Sequence, residues 1–127
     1  MNTDENGLNR LTEKIIGCAF KVSKSLGAGF LEKVYENALR IELAKEGFSV
    51  QQQHPVNVTY EGNIVGEYFA DLVVENAVIV ELKAVSALDE IHMAQCLNYL
   101  RATGLKICLL LNFGKPNLEI KRLVNNF

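Results

Sequence analysis

The stretch Tyr68-Phe69-Ala70-Asp71-Leu72-Val73-Val74-Glu75-Asn76-Ala77-Val78-Ile79-Val80-Glu81-Leu82-Lys83 decides how this chain folds and where its chemistry lies. It reads as two β-rich runs, 64–74 and 77–85, joined by a turn at Glu75-Asn76. Side chains alternate between the faces of a strand, so the pairing register decides which residues meet. If the runs pair antiparallel with Val74 opposite Val78, then Ala70, Leu72, Val74, Val78, Val80 and Leu82 form a wholly apolar face. The other face then carries Asp71 opposite Glu81, Phe69 opposite Lys83 and Val73 opposite Ile79. A slip of one residue would scatter the polar groups over both faces. The hydrophobic pattern therefore selects the first register, which an odd-length loop such as 75–77, or a bulge, would supply.

That register gathers two carboxylates and one ammonium on a face shared with Phe69, Val73 and Ile79. A solvated face with a Glu81–Lys83 ion pair is the bland reading, and such pairs are worth about 0–1 kcal/mol. Against it, like charges directly across strands repel, and removing each from water costs several kcal/mol unless compensated. One lysine cannot balance two carboxylates, whereas Mg²⁺ is suited to one or two of them plus waters.

Outward from this hairpin, residues 8–26 read as an amphipathic helix. Leu8, Leu11, Ile15, Ala19, Val22 and Leu26 fall on one side, and Arg10, Lys14, Lys21 and Lys24 on the other. Gly27 is placed as its C′ residue, and Gly27-Ala28-Gly29 ends the helix rather than cradling phosphate, since no Lys-Ser/Thr follows. A second helix is expected over 30–46, up to Gly47, where the apolar surroundings of Glu42 suggest a covered surface. Strands follow over 48–53, ending at His54-Pro55, and over 56–60. After the hairpin, Ser86 with Asp89 resembles a capping box for a helix reaching Thr103 and stopped by Gly104. On that helix His92, Gln95 and Tyr99 form an uncharged polar stripe opposite Glu90 and Arg101, facing the sheet if those charges face water. Residues 106–113 are a continuous apolar strand suited to a sheet covered on both faces, and 118–124 form an edge strand or a tail. The order α-α-β-β-β-β-α-β-(β) describes one α/β (α+β) domain over residues 1–127, a mixed β-sheet flanked by helices.

The whole-chain composition narrows the function. With 127 residues, 49% hydrophobic and 22% charged, the chain is neither disordered nor low in complexity. A net charge of −2 argues against a general polyanion binder. The charge is uneven, however: residues 47–102 hold seven acids and two bases. Cys18, Cys96 and Cys108 lack CxxC spacing and lie among apolar neighbours, as buried thiols do, and neither His54 nor His92 stands at zinc-ligand spacing from them. The start, MNTDENG, carries no apolar export signal, and no run approaches a membrane span, so a reduced cytoplasmic setting is expected.

Three motifs in order then resemble a known family. Gly29-Phe30-Leu31-Glu32-Lys33-Val34-Tyr35 fits the motif that names the GxxExxY family, and Asp71 followed by Glu81-Leu82-Lys83 fits the D…ExK core of the PD-(D/E)XK nuclease superfamily, to which that family is assigned. Gln95-Cys96-Leu97-Asn98-Tyr99 resembles the QxxxY element of several superfamily branches. Ala70 stands where the superfamily name has proline, a variable position without a ligand role.

The resemblance, spanning residues 8–113, implies a restriction-endonuclease-like core and a Mg²⁺- or Mn²⁺-dependent phosphodiesterase. Asp71 and Glu81, with the Leu82 carbonyl, would hold the metal, and Glu32 would sit at the edge of the site or hold a second ion. Lys83 would position or deprotonate the attacking water, Gln95 would orient water or phosphate, and Tyr99 and His92 would support them. Tyr35 would pack rather than react. The substrate would be DNA, or RNA, with Arg10, Lys14, Lys21 and Lys24, extended by Lys115, Lys121 and Arg122, as a backbone contact or simply a solvated face. No established DNA-reading motif is present, so a homodimer or partner subunit is expected to help find the substrate. Two alternatives remain open: a catalytically silent nuclease-fold binding module, and an interaction domain whose polar cluster only fixes register.

Overall fold

A computed structural model describes residues 5–126. The first four residues of the segment read as carrying no export signal lie outside that range. Two helices, α1 (Glu5–Leu26) and α2 (Glu32–Lys45), precede strands β1 (Val50–Tyr60), β2 (Asn63–Val74) and β3 (Val78–Lys83). Helix α3 (Glu90–Thr103) then crosses to β4 (Ile107–Asn112), and β5 (Glu119–Val124) closes the chain's only sheet among the described residues. The strands lie in the order β1-β2-β3-β4-β5. Only β3 and β4 run parallel, as a helical crossover requires.

The expected mixed sheet flanked by helices is present, with one boundary removed: the runs 48–53 and 56–60 form a single strand through His54-Pro55. β1 is an edge strand, where a missing N–H is tolerated. The final segment is a strand, antiparallel to β4.

Apolar side chains divide over the two sheet faces by strand alternation. Leu72, Val74, Val78, Val80, Leu82, Leu109 and Leu111 pack with Leu11, Ile15 and Val22 of α1 and Tyr35, Leu39 and Leu43 of α2. Val73, Ile79, Cys108 and Leu110 pack with Cys96, Tyr99 and Leu100 of α3. Every residue of β4 is buried, as a strand covered on both faces must be. All three cysteines are buried free thiols.

Local chemistry fixes the elements that carry the site. α1 ends at Gly27, whose φ of +70° needs a residue without Cβ and whose N–H donates to Ser23 O at 2.9 Å. Tyr35, fully buried, donates its hydroxyl to Gly27 O at 2.6 Å, accepts Phe30 N–H at 3.1 Å and stacks on Phe113 with centroids 4.8 Å apart. The tyrosine of the GxxExxY motif therefore staples the α1–α2 turn to the sheet. α3 is capped three residues later than Ser86 suggests. Asp89 is the N-cap, accepting from Ile91 and His92 N–H, while His92 Nδ1 accepts Asp89 N–H at 3.2 Å. Ser86–Asp89 therefore precedes the helix.

At the exit of β3, buried Asn112 clasps Val85 through two 3.0 Å bonds, accepting its N–H and donating to its carbonyl. Gly114 lies so close that a Cβ there would stand 2.3 Å from Val85 O and 2.4 Å from Val85 N. Because both obstacles are backbone, Gly114→Ala is expected to destabilise by about 2–3 kcal/mol or more. Urea unfolding of the variant measures this, and an unchanged midpoint would contradict it.

Candidate active site

The β2–β3 register is the one the hydrophobic pattern selects: Val74 pairs with Val78, Val73 with Ile79 and Leu72 with Val80, across the three-residue loop 75–77. One step further the side chains take over. Asp71 N–H donates to Glu81 Oε2 at 2.7 Å, and Leu82 N–H donates to Asp71 Oδ2 at 2.9 Å. Each carboxylate thus grips the backbone of the opposite strand, and the pair is locked where the β2–β3 ladder ends.

Here the simple alternation breaks. Ala70 packs with the α3-side cluster rather than beside Leu72 and Val74, which corrects the expected apolar face. Tyr68 reaches the Tyr99 ring, with centroids 6.1 Å apart, while Phe69 is half exposed and pairs across to Pro55. The expected Phe69–Lys83 opposition is not formed among the ladder pairs. Gln53, next to this point on β1, has a φ of +51°, an irregularity that re-aims the neighbouring side chains.

Burial and charge strain the carboxylates. Glu81 is 3% exposed, and burial, followed by the charge of Asp71, pushes its carboxyl up to about 9. Burial likewise raises Asp71, with the Leu82 N–H bond and the charge of Glu36 acting in opposite directions. Lys83 does not pair with Glu81. Its Nζ donates to Gln95 Oε1 at 3.5 Å, and Gln95 Nε2 donates to the Tyr99 hydroxyl at 3.2 Å. Burial and the Glu81 charge push the Tyr99 phenol up to about 12.

The remaining expected residues fall in different places. Glu32 opens α2 and lines a cavity of about 500 Å³ together with Glu36, Gln53 and Asp71. Among the described residues, no three His, Cys, Asp or Glu side chains form a group able to hold a metal ion. Glu32 thus shares a cavity with Asp71 without completing such a group. His92 is engaged in the α3 cap, so the inward stripe reduces to Gln95 and Tyr99. Arg10, Lys14, Lys21 and Lys24 are exposed, but Lys21 pairs with Glu42 at 2.9 Å. Glu42 also meets Lys45, so it belongs to an ion-pair cluster between α1 and α2.

Sequence reasoning missed Glu36. It is 3% exposed, yet both oxygens are taken: Lys33 Nζ donates to each, Gln52 Nε2 donates to Oε2 at 2.7 Å and Gln53 Nε2 to Oε1 at 2.9 Å. Gln53 Nε2 also lies 3.3 Å from Asp71 Oδ1. Glu36 is therefore tied to Asp71 through one amide. Its spacing, three and seven residues before buried Leu39 and Leu43, was the available signal.

A sequence model of the PD-(D/E)XK nuclease superfamily matches residues 9–123, nearly the whole chain. The chain belongs to the PD-(D/E)XK nuclease superfamily. No curated protein and no solved structure matches it. The residues that resemble the superfamily's D…ExK core are Asp71, Glu81 and Lys83, and the narrower GxxExxY likeness rests on residues 29–35. No helix among the described residues is long and apolar enough to cross a membrane.

Proposed function

We propose that this PD-(D/E)XK protein is a metal-dependent nuclease that hydrolyses phosphodiester bonds of DNA or RNA. The observation that carries the reading is the pair of carboxyl groups, Glu81 buried and Asp71 partly buried, each held by the backbone of the opposite strand, with an ammonium two residues beyond Glu81. A fold selected for stability alone would not keep such a pair without a counter-charge. The donor set, two carboxylates beside the Leu82 carbonyl, is hard oxygen and fits Mg²⁺ or Mn²⁺. When bound, the ion would supply charge to the scissile phosphate and acidity to a water.

The chain's own groups do the rest. Lys83, steadied by Gln95, presents positive charge where a phosphorane would accumulate negative charge, and its ammonium can orient the attacking water by donating to its oxygen. Gln95 fixes the lysine and is itself fixed by Tyr99. Glu36 and Gln53 orient Asp71 from the other side, and Glu32 stands at the cavity mouth.

A second reading draws on the same bonds. Because each carboxylate accepts an N–H from the partner strand, the pair also fixes register, as an interaction domain would need. Divalent-ion binding separates the two. Mg²⁺ or Mn²⁺ is expected to raise the melting temperature of the wild type by several degrees and to leave Asp71→Asn unmoved. The asparagine keeps an oxygen for Leu82 N–H, so folding is preserved. Equal shifts in both proteins, or none in either, would favour the register-fixing role. Cleavage of single-stranded, duplex and flapped DNA and of RNA in Mn²⁺ then tests turnover.

A further inference from the structure

A second and larger cavity, of about 920 Å³, lies between the outer half of the β1–β2 hairpin and the exposed side of α3. Small residues keep it open: Ala94 and Ala102 on the helix, and Gly66 on β2, where a Cβ would stand only 3.2 Å from the Tyr68 ring. Tyr68, half exposed, is its aromatic surface. Amide side chains line it from both walls, Asn57 from the hairpin and Gln95 and Asn98 from α3.

Two features say what enters. First, although residues 47–102 hold seven acids and two bases, no carboxylate lines this cavity, and Arg101 is its one charged residue. The smaller cavity beside Asp71 is the reverse, with Glu32 and Glu36 in its wall. A polyanion would therefore enter by the larger opening, and would reach the smaller one only with a divalent ion offsetting its carboxylates. Second, the larger cavity adjoins the site, because Gln95 lines it and also holds Lys83.

A single cation does not suit a grip on both backbones of a duplex, whose affinity comes from many Lys and Arg contacts. Amides carry a donor and an acceptor each, matching the exposed edges of unpaired bases. An open aromatic face gives a stacking platform that tolerates any base. The volume is at the upper end of the roughly 300–1,000 Å³ of small-ligand sites, a space for individual bases.

The geometry points to this groove as the seat of a single-stranded stretch of polynucleotide, its bases stacked on Tyr68 and contacted by Asn57 and Asn98, leading the strand to Lys83. This rests on the nuclease reading above and adds the substrate class: unpaired DNA or RNA, as at an end, gap or flap.

The test is a titration of ¹⁵N-labelled protein, free of divalent metal, with a mixed-sequence DNA octamer, its RNA counterpart and the octamer duplex. The side-chain amide signals of Asn57, Gln95 and Asn98 are expected to shift with a single strand of either kind and not with the duplex. Tyr68→Ala is expected to weaken that binding about tenfold, within the range for loss of one stacked base. Ala94→Trp, which fills the groove from the other wall, is expected to do the same, so the result does not depend on one variant folding. The inference is overturned if the groove amides stay still at millimolar octamer, if the duplex shifts them equally, or if both variants bind like the wild type. Cleavage is scored separately. Turnover with a silent groove would remove this inference alone, whereas strand binding in the groove with no cleavage in Mg²⁺ or Mn²⁺ would remove the nuclease reading alone.

Discussion

Glu81→Gln is expected to make the metal-free protein more stable, by up to about 3 kcal/mol at pH 7, while abolishing its response to Mg²⁺. The buried Glu81 carboxyl is pushed up to about 9 from an ordinary 4.5. Between those values the folded chain keeps a proton that the unfolded chain has released. Folding then takes up a proton, and stability falls as pH rises through the window, by about 1.4 kcal/mol per unit. Below pH 4.5 both states are protonated and the penalty vanishes. Asp71, also raised, acts in the same direction. Glutamine has no proton to lose, and its amide oxygen can still accept Asp71 N–H. Melting curves from pH 5 to pH 8 without divalent metal should therefore slope downward for the wild type and less steeply for the variant, which retains only the Asp71 contribution, with the gap widest at pH 8. A variant less stable than the wild type at pH 8 would show that the carboxylate is satisfied as it stands. A gain in stability paired with loss of ion binding is what a site held for function rather than for folding predicts.

The parts of this arrangement that were legible in the sequence are those governed by alternation of apolar residues. Leu72, Val74, Val78 and Val80 could bury one face in only one register, and that register is the one found. The same reasoning placed α1, whose Leu8, Leu11, Ile15, Ala19 and Val22 are all buried. Residues 106–113 read as a strand covered on both faces because they form a continuous apolar run, while the role of Asn112 within β4 has no local signal because its partner, the Val85 backbone, is 27 residues away.

Reasoning from alternation failed where polar side chains replace backbone pairing. At Asp71 and Glu81 the carboxylates take the N–H groups of the opposite strand, and the faces of Tyr68, Phe69 and Ala70 exchange. No periodicity encodes that exchange. Gln51-Gln52-Gln53 likewise carries no apolar alternation, yet two of these residues bind Glu36 and one links it to Asp71. His92 illustrates a different limit. Its helical angle matches Gln95 and Tyr99, but at the third position of the helix a cap was the nearer partner.

Lys83→Met tests the chemistry apart from ion binding. Methionine keeps most of the aliphatic stem, which is half buried, and removes only the ammonium. Lys83 is not bonded to Asp71 or Glu81, its hydrogen bond running instead to Gln95. The variant should therefore keep, or slightly enlarge, the melting-temperature shift produced by Mg²⁺. Its cleavage rate, on whichever substrate the wild type cuts, should fall by about 10²–10⁴-fold, the range for losing a positioned proton-transfer group or a charge aimed at the transition state. The loss should lie in kcat, with KM little changed, because the ammonium meets charge that develops only as the phosphorane forms. Equal loss of ion binding and cleavage would make Lys83 part of the electrostatic support for the carboxylates, and unchanged cleavage would remove it from the reaction. Gln95→Leu should give a smaller loss in the same direction, since it frees the lysine without discharging it.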